Sequence, residues 1–331
     1  MIRFAVQRVI GLIVTMFFVS IMVFVIMELP PGDYAERYAF RKFSGGGVTV
    51  TPEDVQNIRH QFGLDRPLYQ RYLSWIGAIV TRFDFGQSFA FETPVTNVIG
   101  QRMWLTLALL FSTLLLTYVV AIPFGIYAAV RRQSIADYSL TVVSYLGLAL
   151  PNFMLALILL YIGVRYFDTT VGGLFSPTYA DAPWSWAKGV DLAKHLVVPA
   201  VVLAWSATAL QLQTVRATML DELNKLSVTA ARARGLPEWK LLLKYPARLA
   251  INPVVSTIGF DGNRIFSELP IVALVLALPE LGELLIKSYI DLDMYVAGAV
   301  LLMLTFFIVL MNFVGDILLA LLDPRIKLEG G

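Results

Sequence analysis

No cysteine occurs in the 331 residues, and histidine occurs only at His60 and His195. Disulfide staples, thiolate nucleophiles and zinc–cysteine sites are therefore excluded, and two histidines give little basis for a metal centre. Charge is scarce too. Only 15% of residues are charged, against roughly 25% in an ordinary soluble chain. Neither sign is in surplus: 26 basic less 24 acidic residues leaves +2, too little to suggest a nucleic-acid partner, so any meaning lies in where the charges stand. A phosphate-binding loop is missing as well. Gly45-Gly46-Gly47 lacks the lysine and the strand-to-helix setting of a Walker site and reads as a hinge. What remains is apolar: 57% of residues are hydrophobic and mean hydropathy is +0.70, which points to a protein of the lipid bilayer.

A bilayer-crossing helix needs about 20 mostly apolar residues, since the hydrocarbon core is about 30 Å thick and each helical residue rises about 1.5 Å. Six stretches qualify: residues 9–29, 103–130, 140–164, 195–212, 253–278 and 294–322. The expected fold is thus an all-α integral membrane protein with six transmembrane helices. The first stretch exceeds a signal-peptide core and lacks a small-residue cleavage site, so it reads as a retained helix.

Six crossings put both termini on one side, and basic residues choose it. On that side stand Arg3, Arg8, Arg131, Arg132, Arg216, Lys225, Arg232, Arg234, Lys240, Lys244, Arg248, Arg325 and Lys327. The short loops opposite hold only Lys188, Lys194 and Lys287. Both termini are expected in the cytoplasm. The layout is then residues 1–29 as N-terminus and first span, 30–102 as an external segment, 103–322 as the remaining core, and 323–331 as a cytoplasmic tail.

The external segment carries helix punctuation. Thr51-Pro52-Glu53-Asp54 reads as an N-terminal cap and Gly63 as a stop. Leu68, Tyr72, Trp75, Ile76, Ile79 and Val80 then recur at helical spacing and predict a second helix with one packed face. The cytoplasmic loop 215–252 reads as two more helices. The first is expected from about 216 to 234, with Met219, Leu220, Leu223 and Leu226 on one face, and it closes on the small, basic run Ala230, Ala231, Arg232, Ala233, Arg234 before Gly235. Pro237 opens the second, with Trp239, Leu242, Leu243 and Pro246 sharing a face and Lys240, Lys244 and Arg248 pointing away. Pattern alone leaves two readings: a docking knob for a cytoplasmic partner, or an interfacial helix-turn-helix.

Ala231-Arg232-Ala233-Arg234-Gly235-Leu236, followed by a helix and Ile251-Asn252-Pro253, resembles the coupling-helix loop of binding-protein-dependent ABC importers. Pro31-Gly32-Asp33, Gly63-Leu64-Asp65-Arg66-Pro67-Leu68, Asp84-Phe85-Gly86-Gln87-Ser88, Pro279-Glu280-Leu281-Gly282 and Leu322-Asp323-Pro324-Arg325 resemble the first permease subunit of dipeptide and oligopeptide transporters. The resemblance covers essentially the whole chain. It implies a type I ABC importer permease fold in the bacterial inner membrane, with the segment after the first helix in the periplasm. It also implies that this chain is not catalytic and that two ATP-binding subunits or domains bind ATP and Mg. The partners would be those subunits, a second homologous permease and a periplasmic substrate-binding protein. Residues Ala230, Ala231, Arg232, Ala233, Arg234, Gly235 and Leu236 would couple to the ATP-binding subunit, and ATP binding would favour an outward-open cavity. The subfamily takes dipeptides, longer peptides, nickel chelates and some oligosaccharides, among which the sequence does not choose.

Asp261, Arg264 and Glu268 follow one another at spacings of three and four, so they share a face of the fifth stretch. At roughly 2.5–3.5 kcal/mol per central charge they cost about 8–10 kcal/mol, more than the apolar residues of that helix return, so they should face a wet cavity or partners rather than lipid. Two readings stand: the acids and Arg264 contact a polar or zwitterionic solute, or the acids neutralise Arg264 and brace the bundle. Asn312 and Asp316 form a second same-face polar pair, expected to hold helices together. A stand-alone proton-coupled carrier, using the intramembrane carboxylates as a relay, is the rival from another class.

Overall fold

The computed structural model describes residues 2–29, 35–36, 39, 51–61, 63–167 and 172–322. Pro31-Gly32-Asp33, the Gly45-Gly46-Gly47 run, Asp168 and the tail from Asp323 lie outside the described residues.

Among the described residues fourteen helical segments follow one another. They are α1 (Ile2–Glu28), α2 (Pro52–Gln61), α3 (Leu68–Arg82), α4 (Val95–Val130), α5 (Ile135–Ala149), α6 (Asn152–Phe167), α7 (Trp186–Leu223), α8 (Leu226–Ala233), α9 (Glu238–Leu242), α10 (Arg248–Ala250), α11 (Asn252–Ser256), α12 (Ile258–Val275), α13 (Leu281–Ile290) and α14 (Met294–Leu322). A π-helical turn, Leu243–Ala247, joins α9 to α10. The one extended feature among the described residues is an isolated bridge between Gln87 and Pro94.

The six expected crossings are only partly reproduced. Among the described residues α1, α4, α7 and α14 are long and apolar enough to span a bilayer. Stretch 140–164 is not one rod: α5 and α6 meet at 104°. Leu150 is extended (φ −94°, ψ 123°) because the ring of Pro151 disfavours helical geometry in the residue before it, and the proline then opens the next helix. The fifth stretch is α12, which carries three charges and does not qualify by composition. The fourth, expected to be short, is embedded in the 38-residue α7, and α4 starts at Val95 rather than 103.

The chain divides into two compact units. In the unit of residues 13–103 and 284–305, helices α2 and α3 are anchored locally. Thr51 and Asp54 cap α2 reciprocally: Thr51 Oγ1 accepts from Asp54 N (3.3 Å) while Asp54 Oδ2 accepts from Thr51 N (3.0 Å). Hydrogen bonds from Thr51 hold the Asp54 carboxyl below the usual carboxylate range. Helix α3 packs on α1 through Trp75 and Tyr72 against Phe24, and Arg71 forms a two-point ion pair with Glu28 (2.8 and 2.6 Å). Leu68 and Val80, expected on the packed face, are exposed; the buried stripe is the narrower pair Trp75 and Ile79. Asp293, at the start of α14, accepts from Ser88 Oγ (2.6 Å) and from the amides of Phe89 and Ala90 (2.9 Å each), which ties the loop after α3 to a helix end.

In the unit of residues 1–12, 104–283 and 306–331, α5 packs along α7, and Asp137 at the head of α5 holds Arg216 of α7 at two points (2.6 and 2.9 Å). Helices α12 and α14 cross closely: a Cβ on Gly259 would sit 3.2 Å from the backbone of Asn312, so any larger residue would push the two helices slightly apart.

Candidate functional site

The charged residues of α12 are met by polar side chains from other helices. Asp261 is fully buried, and its Oδ2 accepts from Tyr118 Oη of α4 (2.5 Å) and from Gln211 Nε2 of α7 (2.7 Å). Gln211 Nε2 also donates to Thr257 Oγ1 (2.8 Å), while Asp261 Oδ1 and Gln211 Oε1 have no donor among the described residues. Arg264 Nε donates to Glu268 Oε1 (3.1 Å), and Glu268 Oε2 accepts from Asn152 Nδ2 of α6. Asn152 Nδ2 lies within bonding reach of the Leu203 carbonyl as well (3.2 Å).

The three charges therefore do not form one triad. Asp261 has its own hydrogen-bonded donors on α4 and α7, and Glu268 alone makes the ion pair with Arg264. Tyr118, Gln211 and Asn152 were not singled out from the sequence, although each is a polar residue inside an apolar run, the signal that fits a helix-to-helix bond in a low-dielectric interior. Asn312 Oδ1 accepts from Asn263 Nδ2 (3.0 Å), and Asp316 pairs with Arg8 (2.9 Å), so this pair links α14 to α12 and to α1. An apolar groove of about 250 Å³ bordered by Leu116, Phe124, Val143 and Trp205 has no charged group in its lining. Among the described residues no group of three or more His, Asp or Glu is placed to hold a metal ion.

Loop 215–252 is built differently from its expected pattern. The first helix breaks at Asn224-Lys225, so Leu226 is not on the Met219 face: Met219 is buried and Leu226 is 87% exposed. In the second, Trp239 and Leu243 are exposed and Leu241 is buried. Leu242 and Pro246 do pack inward as that face predicts, and a π turn surrounds Pro246. Lacking an amide hydrogen, the proline cannot continue the α-helical ladder, and Pro246, Ala247 and Ala250 point inward.

Two clusters then connect the loop to the bundle. Val228 and Ala231 of α8 pack on Leu241, with Leu236, Leu242 and Tyr245 around them. Ala247 and Ala250 pack on Ala129 of α4 and Met219 of α7, again with Leu242 alongside. Leu242 belongs to both. Of the run singled out for coupling, Ala231 is buried, Leu236 is half-buried, and Ala230, Arg232, Ala233, Arg234 and Gly235 are exposed. Gly235 has φ +76°, the left-handed backbone that ends the helix and that glycine adopts without strain. Arg232 is already paired with Glu238 (2.6 and 3.2 Å), which keeps the Glu238 carboxyl below its usual range.

Comparison with known proteins fits this architecture. Residues 121–328 match the model of the binding-protein-dependent transport system inner membrane component, and residues 1–110 match that family's N-terminal membrane component. The chain belongs to this family. It is a multi-pass inner-membrane protein, the translocation subunit of an ABC importer, and not itself catalytic. Among the permease's relatives, a putative peptide permease protein of Brucella ovis is 34% identical over 99% of both chains. The oligopeptide transport system permease protein AppB of Bacillus subtilis is 33% identical over 93% of this chain and 94% of its own. The glutathione transport system permease protein GsiC of Escherichia coli is 29% identical over 99% of both.

Proposed function

We propose that the permease carries peptides into the cell, as one of two homologous membrane subunits served by a periplasmic binding protein and by two ATP-binding subunits that hold ATP and Mg. Relatives named for peptide, oligopeptide and glutathione transport, similar over nearly the whole chain, support the peptide class over nickel chelates or oligosaccharides. Family membership favours this reading over a stand-alone proton-coupled carrier. The six-crossing count belongs to the proposal, with α5–α6 as one broken span and α12 as another, and both termini in the cytoplasm.

The observation that carries the mechanism is the exposed face of α8. Leu226, Ala230, Ala233 and Arg234 stand on its surface at spacings of four, three and one, while the opposite side is fastened through Leu241 and Leu242 to α4 and α7. Small alanines permit close approach, an exposed leucine offers apolar area, and Arg234 offers charge to an acidic rim. A helix seated in a groove of the ATP-binding subunit moves with it, and the packed path passes that motion to the spans.

A single cysteine at Ala233 tests the placement. It should resist a membrane-impermeant maleimide in intact cells, react in inverted vesicles, and cross-link to a co-purifying ATP-binding protein. Labelling from outside, or a purified transporter in which Ala233 touches no such partner, overturns the proposal.

A further inference from the structure

The charges of α12 are unequally satisfied. Glu268 has both oxygens engaged, one by Arg264 Nε and one by Asn152, and Asp261 is held by Tyr118 and Gln211. Arg264 is the exception. Only its Nε is bonded; the terminal nitrogens Nη1 and Nη2 have no partner among the described residues, and the side chain is 28% exposed. Its surroundings on α11 and α12 form an uncovered stripe, with Ser256, Phe260, Ser267 and Ile271 exposed at helical spacing. A span with arginine and serines on an open face requires water or a polar guest beside it.

An Nη edge left open while Nε is fixed is a preset fork, and a guanidinium fork matches the two oxygens of a carboxylate. We propose that Arg264 is a binding residue of the translocation path that takes the free carboxylate of the transported solute, with Glu268 and Asn152 holding the guanidinium in place. The inference rests on the peptide reading above, since a peptide carries such a group at its C-terminus. It also restricts that reading: Glu268 has both oxygens taken and Asp261 is fully buried, so recognition here falls on the anionic end of the solute rather than on its amine.

The test uses the whole assembled transporter in proteoliposomes with its loaded binding protein, offered a casein digest and the same digest amidated at its carboxyl groups, with mass-spectrometric counting of imported peptides per ATP hydrolysed. Arg264→Gln should lower import of unmodified peptides per ATP by about tenfold. Arg264→Lys should recover part of the loss, and amidated peptides that enter the wild type should enter Arg264→Gln equally well. Wild-type import with an unchanged Arg264→Gln removes the inference alone. Wild type importing nothing from the digest removes the peptide reading and the inference with it. Failure of Arg264→Gln to co-purify with the second permease would place the residue in a subunit contact and also overturn the proposal.

Discussion

Glu280 stands in the loop between α12 and α13, fully buried, where its Oε2 accepts from Thr106 Oγ1 (3.2 Å) and its Oε1 from the amide of Glu283 (2.7 Å). Burial outweighs these bonds and raises its pKa from 4.5 to about 7. A carboxyl raised on folding favours the folded state below its unfolded pKa, and that contribution is lost as pH rises through the folded value. The contribution of Glu280 to the stability of the solubilised protein should therefore fall by about 3 kcal/mol between about pH 4.5 and pH 7, then level off. Glu280→Gln should flatten this slope in thermal unfolding measured across that range; an unaltered slope would assign the pH response to other groups. The sequence displayed Glu280 only as part of a motif. Its burial depends on Thr106, 174 positions away, and no local pattern encodes that meeting. Asp261 differs. Its charge inside an apolar run already demanded donors nearby, and only the identity of those donors, Tyr118 and Gln211, required the fold.

At the scale of elements, length and apolar content were enough to find the long helices: α14 covers the same residues, 294–322, that hydropathy marks out. Interruptions were harder. The run 140–164 is apolar apart from Thr141, Ser144 and Asn152, so Pro151 was the main signal of a bend, and a proline within an apolar stretch also occurs inside intact helices such as α4 at Pro123. In loop 215–252, helical periodicity placed Leu242 and Pro246 on the packed face correctly but misplaced Trp239 and Leu243, which are exposed, and missed Leu241. Leu241, fully buried, should matter most to the loop. Leu241→Ala removes a side chain packed on Val228 and Ala231 and should cost about 2–5 kcal/mol of local stability. The expected result is a chain that still reaches the membrane while the assembled transporter loses stimulation of ATP hydrolysis by loaded binding protein. Full stimulation would show that α8 does not depend on this support.

For the whole molecule, family and broad class were legible because they rest on composition and on motifs spread along the chain, whereas the pairing of charges inside the membrane was not, because it depends on which helices meet. The purified permease alone, in vesicles, should neither hydrolyse ATP nor accumulate peptide under a proton gradient; accumulation would restore the carrier reading. Scale also bears on how this subunit could act. Helix α7 runs through 38 residues, a path of about 57 Å at about 1.5 Å per residue, with the π-turn cluster resting near its C-terminal end at Met219. Over that length each degree of tilt sweeps the far tip sideways by about 1 Å. If α7 tilts as one unit through Pro199, a rocking of a few degrees imposed beside Met219 carries the Trp186 end sideways by a few ångströms.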